Sequence, residues 1–249
     1  MGKALVSVLS LVSAVVPSAV LTLPPPTLLA PSGYYPVGVR YVDLVDSSRD
    51  NSVLTGDHSA REIMVKLFYP GINDPQKPYL KYANGSEELI GQYAVLQGVP
   101  KTTLNFLTAA DTHSKENLAV SGVLRNYPVI LFSHGLGVSM EMQTQQAEDL
   151  ASRGYVVADI DATYLSFATE LPSGIVKTPI TAAGPFDVLQ KWTGVMAADQ
   201  AYVLDVLTQL NSGQSIPGAR WLTNGSWAPA AGANQLAGKL NLDQVGSIG

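Results

Sequence analysis

Two short, mostly apolar runs with a helical segment between them constrain the fold of this chain most strongly. Tyr127–Phe132 (YPVILF) and Tyr155–Ile160 (YVVADI) have the hydrophobicity of strands buried on both faces of a sheet. The segment from about Glu141 to Arg153 is predicted to be a helix, and Gly154 supplies its carboxyl-terminal stop. This order and spacing predict a right-handed βαβ unit with parallel strands.

The segments on either side extend this unit into a larger α/β fold. Val37–Val45 and Arg61–Tyr69 are rich in β-branched and alternating apolar residues, which predicts an antiparallel hairpin. Gly194–Leu210 has apolar residues at helical spacing, and Gly238–Gly249 is predicted to supply a last strand. The expected fold class is therefore α/β, with a mixed, mostly parallel sheet that begins with an antiparallel hairpin.

Other stretches have weaker patterns. Glu87–Gln97 is predicted to be a helix, and Lys101–Ala119 to contain another short one. Asp161–Thr193 is predicted to be irregular, and Gln214–Ala237 to be a loop that carries Trp221 and Trp227 as packing residues. We find no internal repeat.

Composition excludes several classes of function. The chain has 249 residues, of which 46% are hydrophobic, and its formal net charge is −5. This charge argues against a nucleic-acid partner, which would favour a clustered basic face. The absence of cysteine rules out disulfides and thiolate chemistry. The three histidines (His58, His113 and His134) share no metal-ligand spacing, so neither a metal nor another cofactor is expected.

The amino terminus predicts export from the cell. Residues 1–19 combine a positive Lys3 with a short apolar core, as in a secretory signal peptide, and residues 20–33 are Pro-rich, as in a linker or propeptide. Two sequons, at Asn84 and Asn224, are candidate glycosylation sites and agree with a secreted protein. Residues 34–249 are then expected to belong to one domain.

The turn after Tyr127–Phe132 has the features of an oxyanion hole. Ser133-His134-Gly135-Leu136-Gly137 follows a buried strand, at the edge where open α/β sheets gather their active groups. Glycine lets the backbone approach a substrate closely, and a backbone N–H can stabilise the oxyanion of ester hydrolysis. We therefore predict that Leu136 donates its N–H from the turn that Gly135 begins, and that His134 shapes this turn rather than acting as a base.

The sequence resembles a known family along most of its length. YPVILFSHGLG, DLASRGYVVADID, ADQAYVLDVLTQLN and GKLNLDQVGSIG resemble the plasma-type platelet-activating factor acetylhydrolases and their secreted fungal relatives, and FSHGLG is the most specific of these segments. The resemblance implies an α/β-hydrolase fold and a secreted, metal-independent serine esterase that removes short or oxidised sn-2 acyl groups from phospholipids. It maps the family's oxyanion residue onto Leu136, and it allows contact with a lipid surface.

The resemblance also implies that the catalytic triad lies beyond this sequence. In the family, the strand that corresponds to Gln244–Ile248 runs into G-H-S-x-G-G, so Gly249 matches the first glycine of the nucleophile elbow. The nucleophile, the acid and the histidine would all follow. Ser247 lacks the G-x-S-x-G context, and Asp159 and Asp161 precede the family's acid, so we assign these three no catalytic role. We expect this chain to be the amino-terminal part of the hydrolase domain and to be inactive alone.

Two alternatives remain open at this point. A cutinase-like or dienelactone-hydrolase-like carboxylesterase would share the fold and the turn but act on another small ester. A secreted, non-catalytic binding protein could also be built on part of the hydrolase fold.

Overall fold

The computed structural model describes residues 26–178, 185–229 and 235–249. The predicted signal peptide lies outside these residues, as does the first part of the predicted linker. Within them the strands are β1 (Val37–Asp50), β2 (Ala60–Pro70), β3 (Ser114–Glu116), β4 (Tyr127–Ser133), β5 (Val156–Asp161), β6 (Ala168–Leu171), β7 (Gly174–Lys177), β8 (Arg220–Thr223), β9 (Ser226–Pro229) and β10 (Leu240–Ile248). The α-helices are α1 (Ser52–Thr55), α2 (Glu87–Leu96), α3 (Thr144–Ser152) and α4 (Phe186–Asn211). Short 3-10 helices cover Tyr82–Gly85, Lys101–Ala109 and Met140–Gln143.

Eight of the described strands form one mixed sheet. Its order is β10-β4-β5-β2-β1-β8-β9, and β3 pairs with β1 in parallel. β1 and β2 form the predicted antiparallel hairpin, while β4 is parallel to both β5 and β10. Because β5 is antiparallel to β2, the carboxyl ends of β1, β4, β5 and β10 all lie at the same edge of the sheet.

The sheet is covered by a helix on each face. The larger core lies between α4, which contributes Val203, Val206, Leu207 and Leu210, and one face of the central strands. On the opposite face, Ala147 and Ala151 of α3 pack against a smaller cluster that includes Phe132 and Val157. β4 and β5 are therefore apolar on both faces, which explains their continuous hydrophobic sequence.

The structure corrects two regions that the sequence left irregular. α4 begins at Phe186, eight residues before the predicted start, and its first buried residue is Asp199. Because its first three turns bury nothing, they carry no apolar periodicity that could have predicted them. Likewise, β6 and β7 form a hairpin within the stretch predicted to be irregular.

The second correction is the β8–β9 hairpin, which lies in the predicted loop and pairs with β1. Its two-residue turn is Asn224-Gly225, with φ angles of 50° and 74°. Both central residues of a type I′ turn require positive φ, and Asn-Gly is its usual sequence. This dipeptide was the signal that could have predicted the hairpin.

Buried charge fixes α4 to the sheet. Asp199 is fully buried, and its carboxylate accepts hydrogen bonds from Arg61 of β2 at 3.1 and 2.7 Å and from Arg49 of β1 at 2.9 Å. Arg61 also donates to the carbonyl oxygen of Thr163 at 2.7 Å, just beyond β5. This network ties α4 to three strands at the edge where the parallel strands end.

No helix in the described ranges has both the length and the apolar character that crossing a membrane requires.

We expect Asp199→Ala to destabilise the fold strongly, because it leaves the buried guanidinium of Arg61 without its carboxylate partner. Breaking a buried ion pair in this way costs about 3–5 kcal/mol. The free energy of unfolding from urea titration measures the loss. Asp205→Ala is the matched control, since Asp205 lies exposed on the same helix. Similar losses in the two variants would contradict the assigned role of the network.

Candidate active site

The glycine-bearing turn directly follows β4 and is closed by its own backbone. The N–H of Val138 donates to the carbonyl oxygen of Gly135 at 3.0 Å, which makes Leu136 and Gly137 the central residues of the turn. Gly137 has a φ of 73°, a left-handed conformation that glycine adopts without strain, and its N–H donates to the carbonyl oxygen of Leu165 at 2.8 Å. The turn is thereby fixed on both sides of Leu136.

The Leu136 N–H makes no hydrogen bond with any residue that the structure describes. Leu136 is 37% exposed, so this position lies at the surface. Backbone N–H groups are rarely left without a partner away from water, so this donor is available to solvent or to a ligand. An N–H without a partner in the protein is the minimum that an oxyanion donor requires.

His134 is buried, and both nitrogens of its ring contact neighbouring polar groups. Its Nδ1 lies 2.8 Å from the carbonyl oxygen of Gly135, and its Nε2 accepts the N–H of Ala162 at 3.1 Å. Nε2 also lies 3.1 Å from Oδ1 of Asp161, at the end of β5. His134 therefore joins the turn to the neighbouring strand, and both of its ring nitrogens are occupied.

The end of β10 lies directly beside the turn. Ile248 pairs with Phe132 in parallel, which places Gly249 level with Ser133. A Cβ atom added to Gly249 would come within 2.5 Å of the carbonyl oxygen of Ser133, so no larger residue fits without a shift of the backbone. The carboxyl end of β10 thus approaches the residue that begins the predicted oxyanion turn.

A buried ion pair supports the segment that follows the turn. Lys66 of β2 donates to Glu141 at 2.8 Å and to the Thr144 hydroxyl at 3.3 Å, and both charged side chains are almost completely buried. Burial alone would lower the pKa of Lys66, but the nearby Glu141 carboxylate and Tyr41 phenol outweigh it and raise that pKa. Lys66 therefore keeps its proton at neutral pH, and its two hydrogen bonds fix Glu141 and Thr144 to the sheet. Sequence analysis missed this pair, because its residues are separated by more than 70 positions and carry no local motif.

Asp159 is an isolated carboxyl group beside this pair. It is fully buried on β5, opposite Lys66 of β2, and neither of its oxygens has a hydrogen-bond partner among the described residues. Burial raises its pKa well above the ordinary value; Lys66 lowers that pKa by less than burial raises it, and Glu141 and Asp161 raise it a little further. Asp159 therefore keeps its proton to a higher pH than an exposed aspartate does.

A surface cavity opens beside Gly249. Its volume is about 880 Å³, and its wall includes Phe132, Ile248, Gln143 and the segment Leu29–Pro31. That segment is held on α3, because the N–H and hydroxyl of Ser32 donate to Asp149 at 2.7 and 2.6 Å. The cavity lies at the edge of the sheet where β4 and β10 end.

The remaining predicted residues lie elsewhere. Asn84 and Asn224 are both exposed, each in a turn with positive φ, at a distance along the chain from the Leu136 turn. The His58 ring is exposed and hydrogen-bonded to Asp50, and the His113 ring contacts the carbonyl oxygen of Leu28. No cluster of three or more His, Asp or Glu within the described ranges is arranged to hold a metal ion.

Comparisons with known proteins give one family and one class of structure. The family model described as platelet-activating factor acetylhydrolase, isoform II, matches residues 26–169, which is more than half of the chain and includes the Leu136 turn. No curated protein matches the chain.

Among solved structures, a ferulic acid esterase from Streptomyces cinnamoneus is similar, with 25% sequence identity and a TM-score of 0.63. The match covers 90% of this chain and 54% of the esterase, so the chain spans about half of that enzyme's length. The mixed sheet, with its parallel core strands and flanking helices, is that of an α/β-hydrolase, as the sequence predicted.

The raised pKa of Asp159 predicts a pH-dependent difference between the wild type and Asp159→Asn. Above pH 4 the unfolded aspartate releases its proton and the folded one retains it, so the free energy of unfolding of the wild type decreases as pH rises. Asp159→Asn lacks this proton. Its stability relative to the wild type should therefore increase as pH rises above 4, by up to about 1.4 kcal/mol per pH unit until the folded carboxyl group ionises. Urea titrations at three pH values measure this, and a constant difference would show that Asp159 is ionised in the fold.

Proposed function

Because the chain belongs to the platelet-activating factor acetylhydrolase, isoform II, family, we propose that it forms the amino-terminal part of a serine esterase that hydrolyses short sn-2 acyl groups of phospholipids. The observation that carries the proposal is the free N–H of Leu136 beside the end of β10. In an α/β-hydrolase one oxyanion donor comes from such a turn, and the nucleophile follows such a strand.

The chemistry assigned to this chain is stabilisation of charge. Attack of a serine oxygen on the ester carbonyl, with transfer of the serine proton to the catalytic histidine, forms a tetrahedral intermediate, whose oxygen becomes negative as the C=O π bond opens. The Leu136 N–H donates to that oxygen, and the N–H of the residue after the nucleophile is the second donor. Collapse of the intermediate breaks the ester C–O bond and expels the alcohol, which takes the proton from the histidine, and water then hydrolyses the acyl-enzyme.

We assign the nucleophile, the acid and the catalytic histidine to residues outside 1–249. In the described ranges no hydrogen bond joins a serine hydroxyl to a histidine ring, which is the contact that activates such a nucleophile. Ser133 and Ser139 each lie three residues from Leu136 in the sequence, but both are buried, and the Ser133 hydroxyl accepts a hydrogen bond from Gln200 at 2.8 Å. We therefore expect residues 1–249 alone to lack esterase activity.

A carboxylesterase that acts on a different small ester is the second candidate. The structural similarity to a ferulic acid esterase favours it, because that similarity extends over 90% of this chain. The two candidates share the oxyanion turn and differ in the alcohol and acyl groups that they accept.

Secretion, glycosylation and contact with a lipid surface are further parts of the proposal. The apolar residues 4–16 after Lys3 and the exposed sequons at Asn84 and Asn224 support an extracellular protein. Phospholipid substrates would be met at a lipid surface.

Substrate assays separate the two candidates. The full-length protein should hydrolyse a phospholipid with an sn-2 acetyl group with a higher kcat/KM than a feruloyl ester or a polyester film. Residues 1–249 alone should hydrolyse none of them. Hydrolysis of the feruloyl ester or the polyester without the phospholipid would replace the phospholipid assignment with the second candidate.

Removal of the Leu136 N–H tests the oxyanion role. Leu136→Pro, or a backbone ester in place of the Gly135–Leu136 amide, should reduce kcat of the full-length enzyme by about 10²–10³, because one donor to the intermediate is lost. Leu136→Ala keeps the N–H and is the matched control. A loss of kcat in Leu136→Ala as large as in the ester variant would show that the side chain, rather than the N–H, is important.

A further inference from the structure

A single glutamine side chain joins the two strand ends that form the candidate site. Nε2 of Gln200, on α4, donates to the Ser133 hydroxyl of β4 at 2.8 Å. Oε1 of the same amide accepts a hydrogen bond from the Ser247 hydroxyl of β10, also at 2.8 Å. Both ends of the amide are therefore used, one for each strand.

The helix that carries this amide is itself held firmly. The carboxylate of Asp199, the preceding residue, accepts hydrogen bonds from Arg61 of β2 and from Arg49 of β1. Two consecutive residues of α4 thus contact four strands at the same edge of the sheet. Because Asp199 anchors the helix, Gln200 presents its amide from a fixed position.

β10 needs such an anchor, because its pairing with β4 is interrupted. Asn241 pairs with Pro128, but the next pair is Val245 with Val129, so the register shifts within the strand. The pairing of the first half therefore does not set the position of the second half.

We propose that Gln200 is a positioning residue that holds the end of β10 against β4 and so sets the distance between the Leu136 N–H and the residues that follow Gly249. Ser247 lies two residues before Gly249, and Ser133 lies three residues before Leu136. Loss of the bridge frees the end of β10 to move away from the turn. The proposal rests on the proposed function. It means that α4, the helix that covers the larger core, sets the distance between the nucleophile and the oxyanion donor.

Hydrogen exchange tests the bridge without any need for activity. In the full-length protein, Gln200→Ala should increase the exchange rates of the Gly246–Gly249 amides by about tenfold, because two hydrogen bonds are lost. Ser247→Ala removes only the connection to β10 and should have a similar effect there. The double variant should exchange no faster than Gln200→Ala, since both changes break the same link. The matched control is Gln190→Ala, because Gln190 is exposed on the same helix.

Kinetics with a soluble p-nitrophenyl ester distinguish positioning from a purely structural role. Gln200→Ala should lower kcat by about tenfold and leave KM within about twofold, because binding is retained and alignment is lost. Unchanged exchange at Gly246–Gly249 would overturn the bridge, and faster exchange with unchanged kcat would overturn its positioning role. A wild-type protein that is inactive on every ester would instead overturn the proposed function, and in that case the exchange rates still decide whether the bridge exists.

Discussion

Parallel pairing of β4 with β5 on one side and β10 on the other is the constraint on which the candidate site depends. Parallel strands end at one edge of a sheet, so the Leu136 turn, the Asp161 carboxylate and Gly249 come together although they are distant in sequence. The continuous hydrophobicity of β4 and β5 allows them to occupy the centre of the sheet, with a helix on each face. Pairing of the strands therefore brings the residues of the candidate site together, and contacts between side chains then fix their positions.

Buried ion pairs at this edge fix the positions of the segments around the turn, on both faces of the sheet. On the α4 face, Asp199 holds Arg61 and Arg49. On the other face, Lys66 holds Glu141 and the start of α3. A buried ion pair adds little net stability, but its two charged groups must stay in contact because an unpaired buried charge is strongly destabilising. Their contribution here is geometric, since they fix the segments around a turn whose Leu136 is exposed.

The sequence predicted the parts of the fold whose side chains face the core. The β1–β2 hairpin, the βαβ unit from Tyr127 to Ile160 and the α/β-hydrolase class follow from apolar patterns, and the structure confirms them. The first three turns of α4 were missed because they bury nothing, and the β8–β9 hairpin was missed because its Asn-Gly signal was treated as part of a loop. The Leu136 turn could be predicted from its glycines. Gln200 and Lys66 could not, because hydrogen bonds between distant residues leave no periodic trace in a sequence.

The segment before β1 has a practical consequence for recombinant work. Residues 28–35 lie across α3, where Ser32 binds Asp149, Gly33 and Tyr35 bind Ser152, and Leu29–Pro31 form part of the wall beside Gly249. A domain boundary chosen at the first strand would remove these partners from α3 and open one side of the cavity. An expression boundary at or before Pro26 keeps them, and an affinity tag placed there needs a spacer long enough to stay clear of the wall.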